Sequence, residues 1–378
     1  MSNAAADLLS QLVAVDSVNP DLVPGGAGEA AIARFVAQWL TQHGLEVTLQ
    51  EAAPNRPNVI AIARGSGGGR SLMLNAHLDT VGVAGMEDPF QARIEGGRLY
   101  GRGAYDMKGS LAACMLTMAA VREMNLPGDV IFTGVVDEEY ASIGTQAITE
   151  RWHADAAIVT EPTEMQLCIA HKGFVWLDIE TFGKAAHGSR PDLGVDAVTK
   201  MGKVLLGLER LADQLQAGQR HPLLGTGSLH ASLISGGQEL SSYPERCLLQ
   251  AERRTIPGET LQTVESQIQA ILNQSRAADP AFQASMRTTL VRDSFEISET
   301  APIVTILRDQ AAVLLDHAPT VTGATFWMDS ALLSAAGIPT VVFGPGGTGA
   351  HAVIEWVDLA QVAQCIEIYT ATARAFCG

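Results

Sequence analysis

Between Ala76 and Pro162 the chain carries one histidine and several carboxylates in four short segments. Each segment follows an apolar run or lies in the turn that opens a helix, and the four are Ala76–Asp79 (AHLD), Gly101–Gly109 (GRGAYDMKG), Asp137–Glu139 (DEE) and Thr160–Pro162 (TEP). Because ligands bind beyond the carboxyl ends of the strands in open α/β sheets, these side chains are expected to meet in one crevice. Imidazole and carboxylate together suit divalent metal ions, and two close ions need a bridging carboxylate, which Asp106 could supply.

Alternating strands and helices surround these segments and predict an α/β layer structure with a largely parallel central sheet flanked by helices. The predicted strands lie at about 46–51, 58–64, 71–78, 130–136 and 156–160, a hairpin lies at 92–100, and the predicted helices lie at about 4–15, 29–43 and 108–124. From Gly173 to about Leu290 the order changes to βαββαβ, a ferredoxin-like α+β arrangement, after which α/β alternation resumes. The sequence therefore predicts a discontinuous metal-binding catalytic domain, 1–172 and 291–378, interrupted by a lid or dimerisation domain, 173–290.

Length, composition and charge exclude several classes of protein. A chain of 378 residues exceeds what one core usually supports, and with 47% hydrophobic and 17% charged residues it is globular and not disordered. The net charge of −16 argues against nucleic acid or an anionic membrane as partner, because both bind basic patches.

No lysine or arginine precedes Arg34, and no apolar run approaches the roughly 18–20 residues that span a bilayer, so neither a signal peptide nor a membrane span is expected. Five scattered cysteines without a CxxC pair favour reduced packing residues in a cytoplasmic protein.

The motifs, taken together and in order, resemble those of the M20 family of metallopeptidases and deacylases. This family includes acetylornithine deacetylase, succinyl-diaminopimelate desuccinylase, aminoacylase and the glutamate carboxypeptidases. The resemblance covers nearly the whole chain and rests on GRGAYDMKG, HLD and DEE, with two further motifs, Ala186–Gly188 (AHG) and Gly349–His351 (GAH). A lone HxD or a pair of adjacent glutamates would be a weak signal, but the set is specific.

The resemblance implies a ligand set for two metal ions. His77 would bind one ion and His351 the other, and Asp106 would bridge them. Glu139 would join the ion on the His351 side, and Glu161 would join the ion on the His77 side. Zinc is the first choice for both positions, although cobalt or manganese could serve the same histidines and carboxylates.

Two further acids are implied to assist these ligands. Glu138 would stay off the metal ions and act as general base, taking a proton from the attacking water and returning it to the leaving nitrogen. Asp79 would accept the outer N–H of His77 and so fix its tautomer. The alternative for adjacent acids such as Glu138 and Glu139 is a solvated loop, which their position after a buried strand disfavours. The resemblance also implies a cis peptide bond after Asp106.

The predicted small domain carries three candidate residues. His187 would donate to the developing oxyanion, and in this family it often does so from the partner subunit of a dimer. Arg254 would bind a substrate carboxylate, the alternative being an ion pair with Glu252. Ser241 stands where many members of the family have an asparagine that helps to bind substrate, so the acyl preference is open. The resemblance implies a homodimer formed through the small domain.

Three functions are compatible with these residues. The first is metal-dependent hydrolysis of the amide bond of an N-acyl amino acid, of the acetylornithine deacetylase type. The second uses the same machinery on a dipeptide or on a C-terminal residue, as a dipeptidase or carboxypeptidase. The third is a non-catalytic binding protein on a peptidase scaffold. The third is disfavoured because such a protein would be expected to lose a ligand or the base, and every one is present.

Overall fold

The computed structural model describes residues 2–378, so the first residue of the predicted catalytic domain lies outside the described residues. The chain divides into two compact units. Unit 1 comprises Met1–Ile169, Ile297–Thr322 and Met328–Gly378, and unit 2 comprises Ala170–Glu296 and Gly323–Trp327.

The described residues form helices and strands in alternation along most of the chain. The helices are α1 Ser2–Val13, α2 Ala30–Gln42, α3 Gly109–Arg122, α4 Ile143–Thr149, α5 Ala197–Ala217, α6 Leu261–Ala278, α7 Pro302–Leu315, α8 Ser330–Ala335 and α9 Leu359–Cys377. The strands are β1 Glu46–Ala53, β2 Arg56–Ala63, β3 Leu72–His77, β4 Arg93–Glu95, β5 Arg98–Tyr100, β6 Val130–Val135, β7 Ala156–Val159, β8 Leu167–His171, β9 Gly173–Phe182, β10 Ser228–Gly236, β11 Arg246–Thr255, β12 Gln283–Arg292, β13 Phe295–Glu296, β14 Val321–Ala324, β15 Thr340–Val342, β16 Gly347–Thr348 and β17 Trp356–Asp358.

The main sheet has nine strands in the order β1-β2-β6-β3-β7-β15-β8-β13, with β14 beside β8. Its four central strands, β6, β3, β7 and β15, run parallel, and the pairs on either side of them are antiparallel. Strands β2, β3 and β6 are buried along their whole length, which explains their nearly continuous apolar sequences. The predicted α/β class with a central parallel sheet is confirmed, and the antiparallel flanks are an addition to it.

Several short elements were not predicted. They are helix α4 and strands β8, β13, β16 and β17, which have two to seven residues each. Periodicity needs a longer window than these segments provide, so tertiary pairing rather than local pattern defines them. The predicted hairpin at 92–100 is present as β4 and β5, and its turn residues Gly96 and Gly97 both have positive φ.

Unit 2 contains β9, α5, β10, β11, α6 and β12, which is the predicted βαββαβ order. Its antiparallel sheet has the order β10-β11-β9-β12. Alternate residues of β9, such as Val175 and Leu177, join a core with residues of α5 and α6. Both helices have a side-chain N-cap, Asp196 for α5 and Thr260 for α6, which accepts an otherwise unpaired backbone N–H.

The five cysteines are all buried and form no disulfide. Burial raises the pKa of the Cys114 thiol to about 12, which makes this thiol a packing residue and not a nucleophile. Within residues 2–378, no helix combines the length and the apolar character that crossing a bilayer requires.

Candidate metal centre

Three of the predicted site segments lie at the carboxyl ends of neighbouring parallel strands. His77 is the last residue of β3, while Glu138 and Glu139 follow β6, and Glu161 follows β7. Strand β3 pairs with both β6 and β7, so the three strands end at the same edge of the sheet. This shared edge brings together side chains that are up to 84 residues apart in the chain.

The other two predicted ligands come from loops of unit 1. Asp106 lies in the turn Ala104–Lys108 that leads into α3, and His351 lies between β16 and β17. His351 has a φ of 62°, an unusual backbone conformation for a residue other than glycine. The peptide bond between Asp106 and Met107 is cis, as the family resemblance implied.

The Asp106 carboxylate lies between the two histidines. Its Oδ1 is 3.0 Å from Nε2 of His77, and its Oδ2 is 3.6 Å from Nε2 of His351. The same His351 nitrogen is 3.0 Å from Oε2 of Glu139, and the same His77 nitrogen is 3.6 Å from Oε1 of Glu161. The five side chains that the sequence identifies as ligands therefore form one continuous cluster.

Two overlapping groups within this region have ligand atoms close enough for metal binding. His77, Asp106 and Glu139 present nitrogen and oxygen atoms within 4.8 Å of one another, and so do His77, Glu138 and Glu161. The second group includes Glu138, which the resemblance keeps off the metal ions. Geometry alone therefore allows Glu138 to act as a ligand or as a base.

Asp79 is the predicted partner of His77, and its backbone carbonyl makes the contact. Nδ1 of His77 is 2.9 Å from the backbone carbonyl oxygen of Asp79 and 3.6 Å from its carboxylate, so the carbonyl is the acceptor within hydrogen-bond distance. The carboxylate instead accepts the backbone N–H groups of Glu138 and Glu139 at 3.2 and 3.1 Å, and the side-chain amide of Asn19 at 2.8 Å. Asp79 thus orients His77 through its backbone and holds the turn of the two glutamates through its side chain.

Arg56, a buried arginine, stabilises the turn that carries the two glutamates through Asp137. Arg56 forms a bidentate ion pair with Glu29 and an ion pair with Asp21. Its Nη2 lies 3.0 Å from Oδ1 of Asp137. The same Asp137 oxygen accepts a hydrogen bond of 3.0 Å from Asn19. Asp137, which precedes the two glutamates, is therefore fixed by a charged and an amide partner at once.

Burial dominates the electrostatics of the glutamates. Burial, followed by the charge of Glu161, raises the pKa of Glu138 well above its ordinary value. Burial also raises the pKa of Glu161, and the neighbouring Asp106 adds to that rise. For Glu139, burial and the charge of Asp106 raise the pKa to about 7. Burial and mutual repulsion therefore disfavour negative charge on these three glutamates.

The histidines show the complementary effect. Hydrogen bonds to Asp106 and Glu139 raise the pKa of His351 to about 10. Burial opposes protonation of His77, but the charges of Glu161 and Asp106 outweigh burial and raise its pKa well above the ordinary value. Carboxylates and imidazoles thus both favour added positive charge in this crevice.

This chemistry fits divalent metal ions. The donors are imidazole nitrogens and carboxylate oxygens, the set preferred by zinc and by similar cations. Oε1 of Glu139 is buried, and it has no hydrogen-bond partner among the described residues, so this oxygen is available for coordination. A bound cation would supply the positive charge that otherwise comes from protons on the histidines.

The three candidate residues of the small domain all lie in unit 2. His187 is exposed, and its Nδ1 is 2.8 Å from the Ser189 hydroxyl. Ser241 is exposed, and its carbonyl accepts the N–H of Gly188. Nε of Arg254 donates to Glu252 at 2.7 Å, so the ion pair weighed as the alternative for this arginine is formed.

Sequence reasoning missed several residues that support the site. Arg56 and Asn19 carried no motif signal. Arg102 belongs to the GRGAYDMKG segment but was assigned no role. Glu355, four residues after His351, also went unnoticed because a lone HxxxE spacing is uninformative. The only sequence feature that could have indicated a buried role is that this acid stands among apolar residues.

The chain is similar to known proteins along most of its length. The model of peptidase family M20/M25/M40 matches residues 73–375. An N-formyl-4-amino-5-aminomethyl-2-methylpyrimidine deformylase of Halalkalibacterium halodurans is 29% identical over 94% of this chain and 90% of its own length. An acetylornithine deacetylase of Myxococcus xanthus is 29% identical over 98% of this chain and 97% of its own length. Among solved structures, the Bacillus subtilis YXEP protein, a dinuclear metal-binding peptidase of the M20 family, has a TM-score of 0.78 at 16% identity, covering 100% of this chain and 98% of that one.

Proposed function

The chain belongs to peptidase family M20/M25/M40 and is a hydrolase, and from this premise we propose that it cleaves the amide bond of an N-acyl amino acid. The observation that carries the proposal is the cluster of His77, Asp106, Glu139, Glu161 and His351 at one edge of the sheet. Relatives that match 94% and 98% of the chain are named a deformylase and a deacetylase, respectively.

Two divalent metal ions would be held in two half-sites that share Asp106. The inner site is His77 with Glu161, and the outer site is His351 with Glu139. When bound, the ions would lower the pKa of a water molecule between them and polarise the substrate carbonyl. Zinc is the proposed metal, and cobalt or manganese would suit the same donors.

Glu138 is the proposed general base. Its carboxylate would accept a proton from the attacking water and return it to the leaving nitrogen, which allows the amide bond to break. Burial raises the pKa of Glu138, which is the direction that makes a carboxylate a stronger base. Asp79 would keep this glutamate in place through the hydrogen bonds that its carboxylate accepts from the turn.

Residues of unit 2 are proposed to bind the substrate. His187 would donate from its Nε2 to the oxyanion, because its Nδ1 is occupied by Ser189. Arg254 would bind the substrate carboxylate with its terminal nitrogens, because Glu252 engages its Nε. Ser241 would contact the acyl group, with a shorter reach than the asparagine common at this position.

A substrate screen tests the proposed reaction. We expect kcat/KM for N-acetyl amino acids, including N-acetylornithine, or for N-formylated amines to exceed that for dipeptides at least about tenfold, a difference of about 1.4 kcal/mol in transition-state binding. The measurement compares both classes with the same zinc-loaded protein and repeats the assay after chelation. Faster cleavage of dipeptides would move the chain to the dipeptidase or carboxypeptidase alternative, and the absence of any hydrolysis would favour a binding protein.

A homodimer through unit 2 is the proposed assembly. Strand β10 is an edge of the four-stranded sheet, and it exposes Leu233 and Ile234, which are 65% and 55% exposed. Helix α5, which packs beside this strand, exposes Leu206 at 57%. An unpaired edge strand next to apolar side chains is a template for pairing across a two-fold axis.

Subunit mixing tests whether His187 acts in the partner's site. Inactive Glu138→Gln protein is combined with inactive His187→Ala protein under conditions that allow exchange. If His187 acts in trans, each mixed dimer holds one site with both defects and one with neither. Equal and random exchange should then restore activity towards about a quarter of the wild-type value.

The control for mixing is demonstrated exchange between differently tagged wild-type subunits. If His187 acts within its own subunit, every site keeps one defect and activity does not return. Exchange without recovery, or a fully active monomer, would remove the trans role and leave the metal chemistry unaffected.

A further inference from the structure

Glu355 is a buried carboxylate that holds together two loops carrying metal ligands. It is 1% exposed and lies four residues after His351. Its Oε1 accepts the backbone N–H groups of Tyr105 and Asp106 at 2.9 and 3.0 Å, and its Oε2 accepts the N–H of Gly103 at 2.9 Å. One side chain thus satisfies three donors in the turn that presents Asp106.

Arg102 completes this arrangement. Its guanidinium donates to Oε2 of Glu355 at 2.7 Å, to the carbonyl of Ala352 at 3.0 Å and to the carbonyl of Gly82 at 3.1 Å. Both side chains of the Arg102–Glu355 pair are almost completely buried, at 3% and 0% exposure. A pair at this depth is costly to break, because the remaining charge is left without a partner.

The segment that presents His351 lies between the short strands β16 and β17, and hydrogen bonds join it to the Asp106 turn. The His351 side chain itself is 59% exposed, in contrast to 1% for His77. Before it, Gly349 has a φ of 90°, and a Cβ there would lie 1.9 Å from the carbonyl oxygen of Ile354, so the loop is folded tightly on itself. After it, Arg102 binds Ala352 and the Asp106 turn binds Glu355.

We propose that Glu355, with Arg102, is a positioning residue that sets the metal affinity of the outer site by fixing the His351 loop against the Asp106 turn. This inference rests on the two-metal assignment proposed above. The inner site depends on it less, because His77 is the last residue of one buried strand of the main sheet and Glu161 follows another. A defect at Glu355 should therefore act unequally on the two sites.

The test is a zinc titration of metal-free, full-length wild-type and Glu355→Gln proteins with a competing chelator. Glutamine keeps the shape of the side chain, but its NH₂ group would face donors of Gly103 or Tyr105 where an acceptor is needed. The outer-site dissociation constant is expected to rise at least roughly tenfold, while the inner-site constant changes less than about threefold. A parallel titration of His351→Ala protein identifies which constant belongs to the outer site.

Glu259→Gln is the matched control. Glu259 of unit 2 is also a carboxylate that pairs with a buried arginine, Arg253, and accepts a backbone N–H, that of Ile256. Its loss should lower the melting temperature without changing the ratio of the two zinc constants. This control separates loss of a buried ion pair from loss of loop position.

Each outcome decides the proposal. Unchanged zinc constants in folded Glu355→Gln protein, or equal weakening of both sites, would overturn it. If that variant does not melt cooperatively, Arg102→Lys replaces it, because lysine keeps the charge but cannot reach all three acceptors; an unchanged ratio there would overturn the proposal as well. Wild-type protein that binds fewer than two zinc ions would instead refute the two-metal assignment, and this inference with it.

Discussion

Replacing Glu138 by glutamine is expected to lower kcat by at least roughly a thousandfold while the protein retains both metal ions. Glutamine preserves the size of the side chain and removes only the group that accepts and returns the proton. The measurement is steady-state kinetics on the proposed acyl substrates together with metal analysis of the same preparation.

The neighbouring Glu139→Gln variant serves as the contrast. Glu139 lies 3.0 Å from His351 and is the proposed outer-site ligand, so its replacement should reduce the metal content as well as kcat. Near wild-type turnover in Glu138→Gln protein would remove Glu138 as the base. Loss of a metal ion from that variant would instead reassign Glu138 as a ligand, which its proximity to His77 and Glu161 permits.

Asp106→Asn is expected to have the broadest effect on the site. An asparagine offers one neutral oxygen where the aspartate presents two charged ones, so it cannot bridge two ions. We expect no more than one tightly bound ion and a fall in kcat/KM of at least about a thousandfold. The rise in melting temperature that zinc gives the wild-type protein should shrink in parallel, because binding to the native state stabilises it.

Asp309→Asn, on an exposed position of α7, is the control for the loss of one carboxylate. It should bind two zinc ions and keep the zinc-dependent rise in melting temperature. Two tightly held ions in Asp106→Asn protein would show that another residue bridges them, and Glu138 would be the first candidate because of its position near His77.

The main residues of the site could be predicted because each belongs to a short motif at a strand end or helix start. His77, Glu139 and Glu161 follow apolar runs that are recognisable as strands, and the sheet then brings these residues to one edge. His351 could be predicted as a ligand only from the family resemblance, because the flanking strands β16 and β17 are two and three residues long and too short to recognise.

The supporting contacts could not be predicted, because they join residues that are remote in the chain. Arg56 and Asp137 are in contact although they lie 81 positions apart in the sequence, and nothing in the sequence near either residue indicates this partner. Asp79 could be predicted as the partner of His77, but not the atom that makes the contact, since the choice between a carboxylate and a carbonyl depends on a side-chain rotation that no sequence pattern encodes. The Asp79 carboxylate accepts hydrogen bonds from the Asn19 side chain and from the backbone of Glu139, and these bonds orient it.

The hydrogen bond between Asp106 and Glu355 also has a consequence for the timing of protein synthesis. The two residues are 249 positions apart, which corresponds to roughly 12–50 s of translation at about 5–20 residues per second. For most of that interval, once Glu161 has been added, a nascent chain contains the proposed inner ligands but lacks His351 and the carboxylate that holds its loop. On the proposed assignment, hydrolytic activity is expected only after Glu355 has been synthesised, and a chain truncated before His351 would lack a ligand of the outer site.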